Sequence, residues 1–418
     1  MKLTVNGGTS LLGEVKTQGA KNAVLPILSA CVVCRGDVVL HNCPDLSDVR
    51  SAIKILEHLG LIVTREKDTL IIKCGQIKNC SVPENLMREM RSSVVFLGAI
   101  LASCGCADIS MPGGCELGPR PIDMHLSSLK KLGAEIKDEH GRLKCRVKDK
   151  LCGCNIDLWF ASVGATENII LASALAKGKT VITNAAREPE IVDLANFLNA
   201  CGAKIYGAGE STVVIEGVDK LHGCEYSVMP DRIAAVTYLA SAAVTGGDVN
   251  VLNVKREHIV SVTSLFEKAG GNISFGKDSV RLKQKERPKP LYIVKTMPYP
   301  GFPTDAQAII MTMCALSSGT TMFVETIFEN RFRHVDELVR MGANIKTEGK
   351  VSVVNGVEKL HSANVNCTDL RGGAALVLAA LSAEGETKID SIYHIDRGYE
   401  KIENNFKALG ADIKRISP

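Results

Sequence analysis

The sequence predicts an α/β protein of two similar lobes, each made of three repeat units with a buried helix. Three observations predict this class. A glycine recurs about every seventy residues, a second series of Ala-rich helices keeps step with it, and the last repeat lacks one strand. A chain of 418 residues also exceeds what one hydrophobic core ordinarily supports, which is roughly 250–300 residues.

The recurring glycines end amphipathic segments such as LKKLGAEI and LVRMGANI. They are spaced by 73, 69, 68, 72 and 68 residues and lie at positions 60, 133, 202, 270, 342 and 410. A glycine suits the left-handed residue that closes a helix, and the alternating pattern after it predicts a strand. Six copies of one unit therefore fill the chain.

The second series consists of polar residues that precede apolar helices. Its members are spaced by 70, 71, 70, 73 and 66 residues and are Lys21, Arg91, Ser162, Arg232, Asp305 and Arg371. Helices that are apolar all round, like AALVLAALSA, belong inside a protein. Each unit is thus predicted to run from buried helix to strand, loop, amphipathic helix, and strand or hairpin.

The sixth unit has no room for a partner strand after ADIKRISP, and the opening segment KLTVNG can take that place. Residues 1–18 are then predicted to join residues 230–418 in one lobe, which holds units four to six. Residues 19–229 form the other lobe with units one to three. The chain crosses between the lobes near 18–20 and near 228–231.

Composition excludes several classes of protein. A net charge of +4 is far from the balance of a dedicated nucleic-acid binder. The longest uncharged stretch, 92–107, is shorter than a membrane-spanning helix and predicts a buried helix with its following turn, so no membrane insertion is expected. The N-terminus has no apolar signal region, which predicts a cytoplasmic protein. No obligate protein partner is expected.

The 15 cysteines are an odd number spread over a long chain, which indicates reduced and mostly buried thiols rather than a disulfide framework. The Cys31 and Cys34 pair has no second pair at zinc-finger spacing and lies in a helical run, so a metal or redox role is disfavoured. The same holds for the pairs 104/106 and 152/154. Cys115 differs, because it lies in the Gly- and Pro-rich loop MPGGCELGPRP.

The starts of the buried helices predict where the chemistry lies. Free N–H groups and the positive end of the helix dipole attract an anion. Loops ahead of the amphipathic helices add Cys115, Arg120, Arg187, Glu188, Arg331 and Arg397. Several arginines at one cleft suggest a substrate with both carboxylate and phosphate groups. The alternative is that they form surface or interdomain salt bridges.

Two residues are candidates for proton transfer. The loop 111–121 is typical of a lid, and Arg120 near Cys115 favours a thiolate or holds a bound anion. An inert thiol is the competing interpretation. Asp305 precedes a helix in FPTDAQ, where it is either a base in the cleft or a helix cap.

Many segments match one known family. QGAKN, MRSS, MPGGCELGPRPIDMH, ASVGATEN, NAAREPEIVDLANFL, PDRI, GFPTDAQA, ETIFENRF, TDLRGGAALVLAAL and IYHIDRGYEKIENNFKALGA closely resemble the UDP-N-acetylglucosamine 1-carboxyvinyltransferases, a branch of the enolpyruvyl transferase family. The match runs nearly end to end. The resemblance implies two lobes of inverse α/β units with the active site in the cleft between them.

The resemblance also implies a reaction. The enolpyruvyl group of phosphoenolpyruvate passes to the 3-hydroxyl of UDP-N-acetylglucosamine with release of phosphate, the first committed step of peptidoglycan synthesis. No metal and no organic cofactor is implied. An acid and a base must then face opposite ends of the reacting pair.

By motif, the resemblance makes Cys115 the lid thiol, which protonates the methylene carbon, forms a covalent phospholactoyl adduct and is alkylated by fosfomycin. Asp305 contacts the sugar 3-hydroxyl. Lys21, Arg120 and Arg397 hold the phosphate, Arg331 and Arg371 lie near the carboxylate, and Asn22 contacts phosphoenolpyruvate. The implied nucleotide-sugar contacts are Arg91, Arg120, Pro121, Ile122, Asp123, Met124, Ser162, Val163 and Ile327.

One position departs from the family pattern. Some members have a lysine two residues before the SVGAT serine, where this chain has Phe160, so a diphosphate contact is expected to be missing. The competing interpretations are the sister enzyme that uses shikimate 3-phosphate, which lacks the PGGC motif, and a silent paralogue that only binds the nucleotide sugar. Intact Cys115, Asp305, Lys21 and Arg397 argue against the silent paralogue.

Overall fold

The computed structural model describes residues 1–112 and 122–416. The described chain divides into two compact units. The terminal unit contains residues 1–18 and 230–416, and the inner unit contains residues 19–112 and 122–229. Three predicted site residues, Cys115, Arg120 and Pro121, lie outside the described residues.

Two strands of the terminal unit open the chain, β1 (Lys2–Gly7) and β2 (Leu12–Lys16). The inner unit follows in three stretches. The first contains α1 (Lys21–Ala30), β3 (Cys34–His41), α2 (Ser47–Leu59), β4 (Ile62–Glu66) and β5 (Thr69–Cys74). The second contains β6 (Ser81–Val82), α3 (Glu84–Glu89), a 3₁₀ helix (Arg91–Val95), α4 (Phe96–Cys104), β7 (Cys106–Ser110), α5 (Asp123–Lys131), β8 (Ala134–Glu139) and β9 (Arg142–Val147). The third contains β10 (Asn155–Asp157), α6 (Val163–Ser173), β11 (Lys179–Thr183), α7 (Pro189–Ala200), β12 (Lys204–Tyr206), β13 (Thr212–Glu216), β14 (Leu221–His222) and β15 (Glu225–Ser227).

The rest of the terminal unit repeats this plan. Its first stretch contains α8 (Arg232–Thr245), β16 (Asp248–Leu252), α9 (Val260–Lys268), β17 (Asn272–Phe275) and β18 (Ser279–Lys283). The next contains β19 (Tyr292–Lys295), a 3₁₀ turn (Thr304–Ala306), α10 (Gln307–Ala315), β20 (Thr320–Val324), α11 (Val335–Arg340), β21 (Asn344–Glu348) and β22 (Val351–Asn355). The last contains β23 (Asn364–Asn366), α12 (Leu370–Ser382), β24 (Gly385–Asp390), a 3₁₀ helix (Ile392–Arg397), α13 (Ile402–Ala408) and β25 (Asp412–Ile416).

The described residues form six sheets of one topology, three in each unit. In the order β10-β11-β13-β12, the first pair is parallel and the other two are antiparallel. The orders β6-β7-β9-β8 and β19-β20-β22-β21 repeat it. The parallel edge strand ahead of each buried helix is an addition to the predicted unit. In five of the six repeats it is only two to four residues long, too short to show a strand periodicity, and ahead of α1 it is the five-residue β2.

Segments from the ends of each unit complete the remaining sheets. β1 lies between β24 and β25, with Val5 opposite both Thr387 and Ile413. Leu3 and Val5 alternate with polar residues and are fully buried, which fixes the register of β1. β2 pairs in parallel with β16, and β14 and β15 pair in parallel with β3. The sixth sheet therefore takes its third strand from the N-terminus.

The Ala-rich helices are buried and the glycine-terminated helices lie against the sheets, as the two sequence series predict. In α12, residues 371–381 are all buried. All six glycines of the first series have φ between 92° and 103°, a backbone region that favours glycine. Each unit has its own apolar core. No helix within the described ranges has the length and apolar character to cross a membrane.

The described cysteines are free thiols and most are buried. Cys31 and Cys34 donate their S–H groups to carbonyl oxygens one turn back. Burial raises the pKa of Cys31 well above its usual value, which leaves it an inert core thiol.

Candidate active site

The second sequence series marks the starts of the six buried helices in the structure. Its members are the first residue of α1 (Lys21), the first residue of the 3₁₀ helix before α4 (Arg91), the N-cap of α6 (Ser162), the first residue of α8 (Arg232), the 3₁₀ turn before α10 (Asp305) and the second residue of α12 (Arg371). Backbone N–H groups at these starts have no partner within their helix, so each start favours negative charge.

The terminal unit brings three predicted residues together. Asp305 Oδ1 accepts a hydrogen bond from Arg331 Nη2 at 3.1 Å. Its Oδ2 accepts from Arg371 Nε at 3.3 Å and Nη2 at 3.1 Å. The side chains of Arg331 and Arg371 are each 2% exposed, whereas the Asp305 side chain is 28% exposed.

Arg371 remains charged although it is buried. Burial alone lowers its pKa, but nearby Tyr399, Asp305 and Asp231 more than compensate and raise the pKa above its ordinary value. Its Nη1 is buried and has no hydrogen-bond partner among the described residues. A buried guanidinium with a spare donor is a suitable partner for an incoming carboxylate or phosphate.

Two carboxylates that the sequence analysis missed hold this cluster in place. Glu325 is 1% exposed and accepts from Thr304 Oγ1 at 3.0 Å and from the Ile327 backbone N–H at 2.8 Å. It therefore joins the turn that contains Asp305 to the loop that contains the predicted contact Ile327. Asp369 caps α12, where it accepts from the backbone N–H of Arg371 at 3.0 Å.

Asp369 is stabilised in its ionised form by the groups around it. Burial raises its pKa, but Arg331, His334 and the N–H groups of α12 outweigh burial and hold the pKa below its usual range. Burial lowers the pKa of His334 to about 4. The negative charge of Asp369 raises this pKa, but by less than burial lowers it. His334 is thus a neutral imidazole in the interior of the terminal unit.

In the inner unit, Lys21 forms a buried ion pair. Its Nζ lies 2.8 Å from Asp48 Oδ2, and both side chains are at most 10% exposed. Asp48 comes from α2, the amphipathic helix of the same repeat, and the sequence analysis did not single it out. Asn22, the next residue, is exposed.

Asn168 of α6 links the segments that contain the other predicted residues of the inner unit. Its Nδ2 lies 2.9 Å from both Val94 O and His125 Nδ1, and its Oδ1 accepts from the Gly98 N–H at 2.6 Å. These partners lie beside Arg91 in the 3₁₀ helix and in α5, which begins at Asp123. The buried amide thus fixes the α4, α5 and α6 segments relative to one another.

His125 is neutral for a related reason. Burial lowers its pKa to about 4, and the Arg91 charge lowers it further. Asn168 Nδ2 donates to Nδ1, which must keep its lone pair, so this hydrogen bond assigns the proton to Nε2.

The remaining predicted residues are spread over both units. Ser162 accepts from the Ala165 N–H at 3.3 Å, and Val163 opens α6. Ile122 is buried, Asp123 is exposed and Met124 is half-buried. Arg397 ends its 3₁₀ helix half-buried. Phe160 is 40% exposed, beside the more exposed Trp159.

A buried carboxylic acid lies on α6 as well. Burial raises the pKa of Glu167 well above its usual range, and the charges of Glu190 and Glu188 raise it further. Within the described residues, no group of three or more His, Cys, Asp or Glu side chains is arranged to hold a metal ion.

The chain is similar to known carboxyvinyltransferases over nearly its whole length. The sequence model of the family described as EPSP synthase (3-phosphoshikimate 1-carboxyvinyltransferase) matches residues 5–406. UDP-N-acetylglucosamine 1-carboxyvinyltransferase 2 of Caldanaerobacter subterraneus subsp. tengcongensis is 50% identical over 415 residues, 99% of each chain. UDP-N-acetylglucosamine 1-carboxyvinyltransferase of a Psychrobacter species is 47% identical over 416 residues, 99% of this chain and 96% of the relative.

Solved structures share the fold. The enolpyruvyl transferase NikO from Streptomyces tendae superimposes with a TM-score of 0.91 at 24% identity, over 100% of this chain and 99% of that one. EPSP synthase from Acinetobacter baumannii gives a TM-score of 0.76 at 18% identity, over 99% of this chain and 100% of that one. The predicted enolpyruvyl transferase fold is therefore confirmed.

Proposed function

This chain belongs to the carboxyvinyltransferase family that the EPSP synthase model describes, and we propose that it transfers the enolpyruvyl group of phosphoenolpyruvate to the 3-hydroxyl of UDP-N-acetylglucosamine. Phosphate is released, and the product enters peptidoglycan synthesis, which supports cell shape and division. The enzyme acts in the cytoplasm without an obligate protein partner.

The acceptor is decided by the relatives. Those that are 47% to 50% identical over the full length have the UDP-N-acetylglucosamine name. The structural neighbours named EPSP synthase are 18% and 20% identical. Full-length identity near 50% carries the assignment, because the fold alone is common to both reactions.

The Asp305 cluster supports a mechanism for the start of the reaction. In the structure, the carboxylate oxygens of Asp305 accept hydrogen bonds from the guanidinium groups of Arg331 and Arg371. The carboxylate of phosphoenolpyruvate binds Arg331 and Arg371, for which the spare Nη1 donor of Arg371 is suited. Asp305 is then released from part of its ion pairing and accepts the proton of the sugar 3-hydroxyl.

The other roles follow the family motifs and are part of the proposal. Lys21, Arg120 and Arg397 hold the phosphate, and Cys115 delivers the proton to the methylene carbon. Positive side chains of this kind stabilise the charge that develops in the tetrahedral intermediate. Asn22 contacts phosphoenolpyruvate.

The nucleotide sugar is assigned a separate set of contacts, namely Arg91, Arg120, Pro121, Ile122, Asp123, Met124, Ser162, Val163 and Ile327. Phe160 offers no charge to the diphosphate, so a weaker nucleotide affinity is expected than in relatives with a lysine there.

Release of inorganic phosphate tests the proposal. Phosphoenolpyruvate is incubated with the protein alone, with UDP-N-acetylglucosamine and with shikimate 3-phosphate. We expect phosphate release only with the nucleotide sugar. Treatment with fosfomycin should abolish the activity irreversibly. Fosfomycin should not attach covalently to the Cys115→Ser variant.

Two outcomes would contradict it. Phosphate release with shikimate 3-phosphate alone would assign the sister reaction. Binding of the nucleotide sugar without phosphate release under any condition would identify a silent paralogue.

A further inference from the structure

A polar pocket of about 530 Å³ lies on the inner unit, away from the helix starts described above. Its walls come from the start of β3, the connection between β5 and β6, the end of α4 and the start of β7. The lining residues that matter are Arg35, Lys78, Cys80, Ser103, Cys104 and Cys106. The proposed function gives this pocket no role.

Two of its thiols are in direct contact. Cys106 Sγ lies 2.9 Å from Cys80 Sγ. The backbone keeps them adjacent, because the Asp108 N–H donates to Cys80 O at 2.9 Å and β6 pairs with β7 immediately afterwards. Both residues are partly exposed, in contrast to Cys31 and Cys34 in the core. A small reagent in the pocket can therefore reach either sulfur.

The two thiols are not equivalent. The hydrogen bond to Cys80 is the main cause that raises the pKa of Cys106 to about 11, and burial adds to it. Cys106 therefore keeps its proton and donates it toward Cys80. Because the Cys106 S–H is directed at Cys80 Sγ, we assign Cys80 as the attacking sulfur and Cys106 as the second thiol of the pair.

The charge of the pocket selects its ligand. Arg35 and Lys78 are exposed cations, and no carboxylate is present among the described residues that line the pocket. Arg35 is held at the rim by hydrogen bonds from Nη1 to Cys34 O at 2.8 Å and from Nη2 to Ser103 Oγ at 3.4 Å. Two cations beside a thiol pair attract an anion and repel a cation.

We propose that Cys80 and Cys106 form a reversible dithiol site that is oxidised by small anionic disulfides bound in this pocket. This proposal does not depend on the function proposed above. It also differs from the expectation for the pair 104/106, because the partner of Cys106 is Cys80, 26 residues earlier in the chain.

Oxidation takes two exchange steps. The Cys80 thiolate attacks one sulfur of the disulfide RSSR, which forms a mixed disulfide and releases RS⁻. Cys106 loses its proton to solvent or to the departing thiolate and attacks Cys80 Sγ, which releases the second RS⁻. The two thiols lose two electrons and two protons, and RSSR gains the same two electrons and two protons to give two RSH. Excess RSH reverses both exchange steps.

The test uses the full chain with equal concentrations of oxidised glutathione, which is anionic, and cystamine, which is cationic. Remaining thiols are blocked with iodoacetamide, and digested peptides are identified by mass. We expect a Cys80–Cys106 crosslink that forms roughly tenfold faster with oxidised glutathione, as expected of electrostatic steering. In Cys106→Ser, glutathione should remain attached to Cys80. The exposed Cys152, outside the pocket, is the internal control for general thiol reactivity.

The double variant Arg35→Ala/Lys78→Ala distinguishes the effect of the pocket's positive charge from the reactivity of the Cys80–Cys106 pair. It should form the same crosslink with the preference for oxidised glutathione lost, at an unchanged melting temperature. Four results would overturn the proposal: no crosslink with either reagent, a crosslink of Cys80 to Cys104 instead, equal rates for the two reagents in the unmodified chain, or reaction at Cys152 alone.

Discussion

Asp305 lies between two buried guanidinium groups, and this position determines what its replacement does. Asp305→Asn keeps the shape of the side chain but cannot accept a proton, so we expect kcat to fall at least about 100-fold. It also removes the anion that competes for Arg331 and Arg371. Binding of phosphoenolpyruvate should therefore be as tight as in the unmodified protein or tighter, measured by equilibrium titration beside steady-state kinetics.

Asp278→Asn is the matched control, because Asp278 is an exposed residue of the same unit. It should change neither kcat nor phosphoenolpyruvate affinity. If Asp305→Asn retained normal turnover, the base would have to be another group. If Asp305→Asn instead lost phosphoenolpyruvate affinity at an unchanged melting temperature, Asp305 would not compete with the substrate carboxylate for the two arginines.

Glu167 gives a second prediction for a single residue. Its pKa is raised by burial and by two neighbouring glutamates, so Glu167 holds its proton to a higher pH in the folded protein than in the unfolded chain, where its pKa is about 4.5. Stability is therefore lost as the pH rises from 4.5 toward the folded pKa. Glu167→Gln removes that loss and should raise the unfolding free energy more at pH 8 than at pH 5.

Thermal unfolding at the two pH values measures this difference. Glu210→Gln, at an exposed position of the same unit, is the control and should shift both melting temperatures equally. An equal shift for Glu167→Gln at both pH values would show that the carboxyl is ionised in the folded protein.

Single residues also show where the sequence was silent. Lys21, Asp305 and Arg371 could be found because they occupy corresponding places in three of the six repeats. Asp48, Glu325 and Asp369 hold or orient them but follow no periodic pattern. An acidic residue in a helix or loop is ordinarily a solvated one, so only the fold reveals that these carboxylates are buried.

Among the elements, the long ones were predictable and the short ones were not. The buried helices and the hairpins follow from apolar periodicity, and the glycines fix where the amphipathic helices end. The parallel edge strands, such as β10 and β23, contain three residues each. They form because a neighbouring strand offers backbone N–H and C=O groups for pairing. This pairing depends on the tertiary structure and not on the local sequence.

The contact between α4 and α6 supplies a prediction for an element. A Cβ at Gly98 would lie 2.3 Å from Asn168 Oδ1 and 2.4 Å from its carbonyl oxygen. In an isolated helix, Gly98→Ala would stabilise by about 1 kcal/mol. Here the clash decides the sign, and we expect a net loss of about 1–3 kcal/mol in unfolding free energy. The Michaelis constant for the nucleotide sugar should also rise, because Asn168 holds the Arg91 and Asp123 segments.

Gly75→Ala is the control, since a Cβ there meets no atom within 4 Å. Denaturant unfolding and steady-state kinetics on both variants compare the two sites. A stabilised Gly98→Ala would mean that α4 and α6 can separate at no cost, contrary to their close approach.

For the whole molecule, internal repetition predicted more than composition did. Six units at a constant interval indicated how many strands the last copy lacked, and the first strand lies in that place, between β24 and β25. What repetition cannot predict is which groups lose their charge on burial. That depends on packing between units of the repeat, as for His125 between α5 and α6 and for His334 beside α12.

These two histidines predict how the stability of the whole chain depends on pH. Each has a pKa of about 4 in the folded protein against 6.5 in the unfolded chain. Between those values the unfolded chain binds more protons, so stability is fully present above pH 6.5 and is lost as the pH falls toward 4. Each histidine should cost about 3 kcal/mol at pH 4 relative to pH 7.

Glu167 changes stability in the opposite direction over part of this range, so the test compares variants rather than one pH curve. The double variant His125→Gln/His334→Gln should lose less stability than the unmodified protein between pH 7 and pH 5, measured by thermal unfolding. His140→Gln, at an exposed position, should leave the slope unchanged. Parallel curves for the double variant and the unmodified protein would mean that both imidazoles titrate normally in the folded state, and that the hydrogen bond from Asn168 to His125 does not hold its proton off Nδ1.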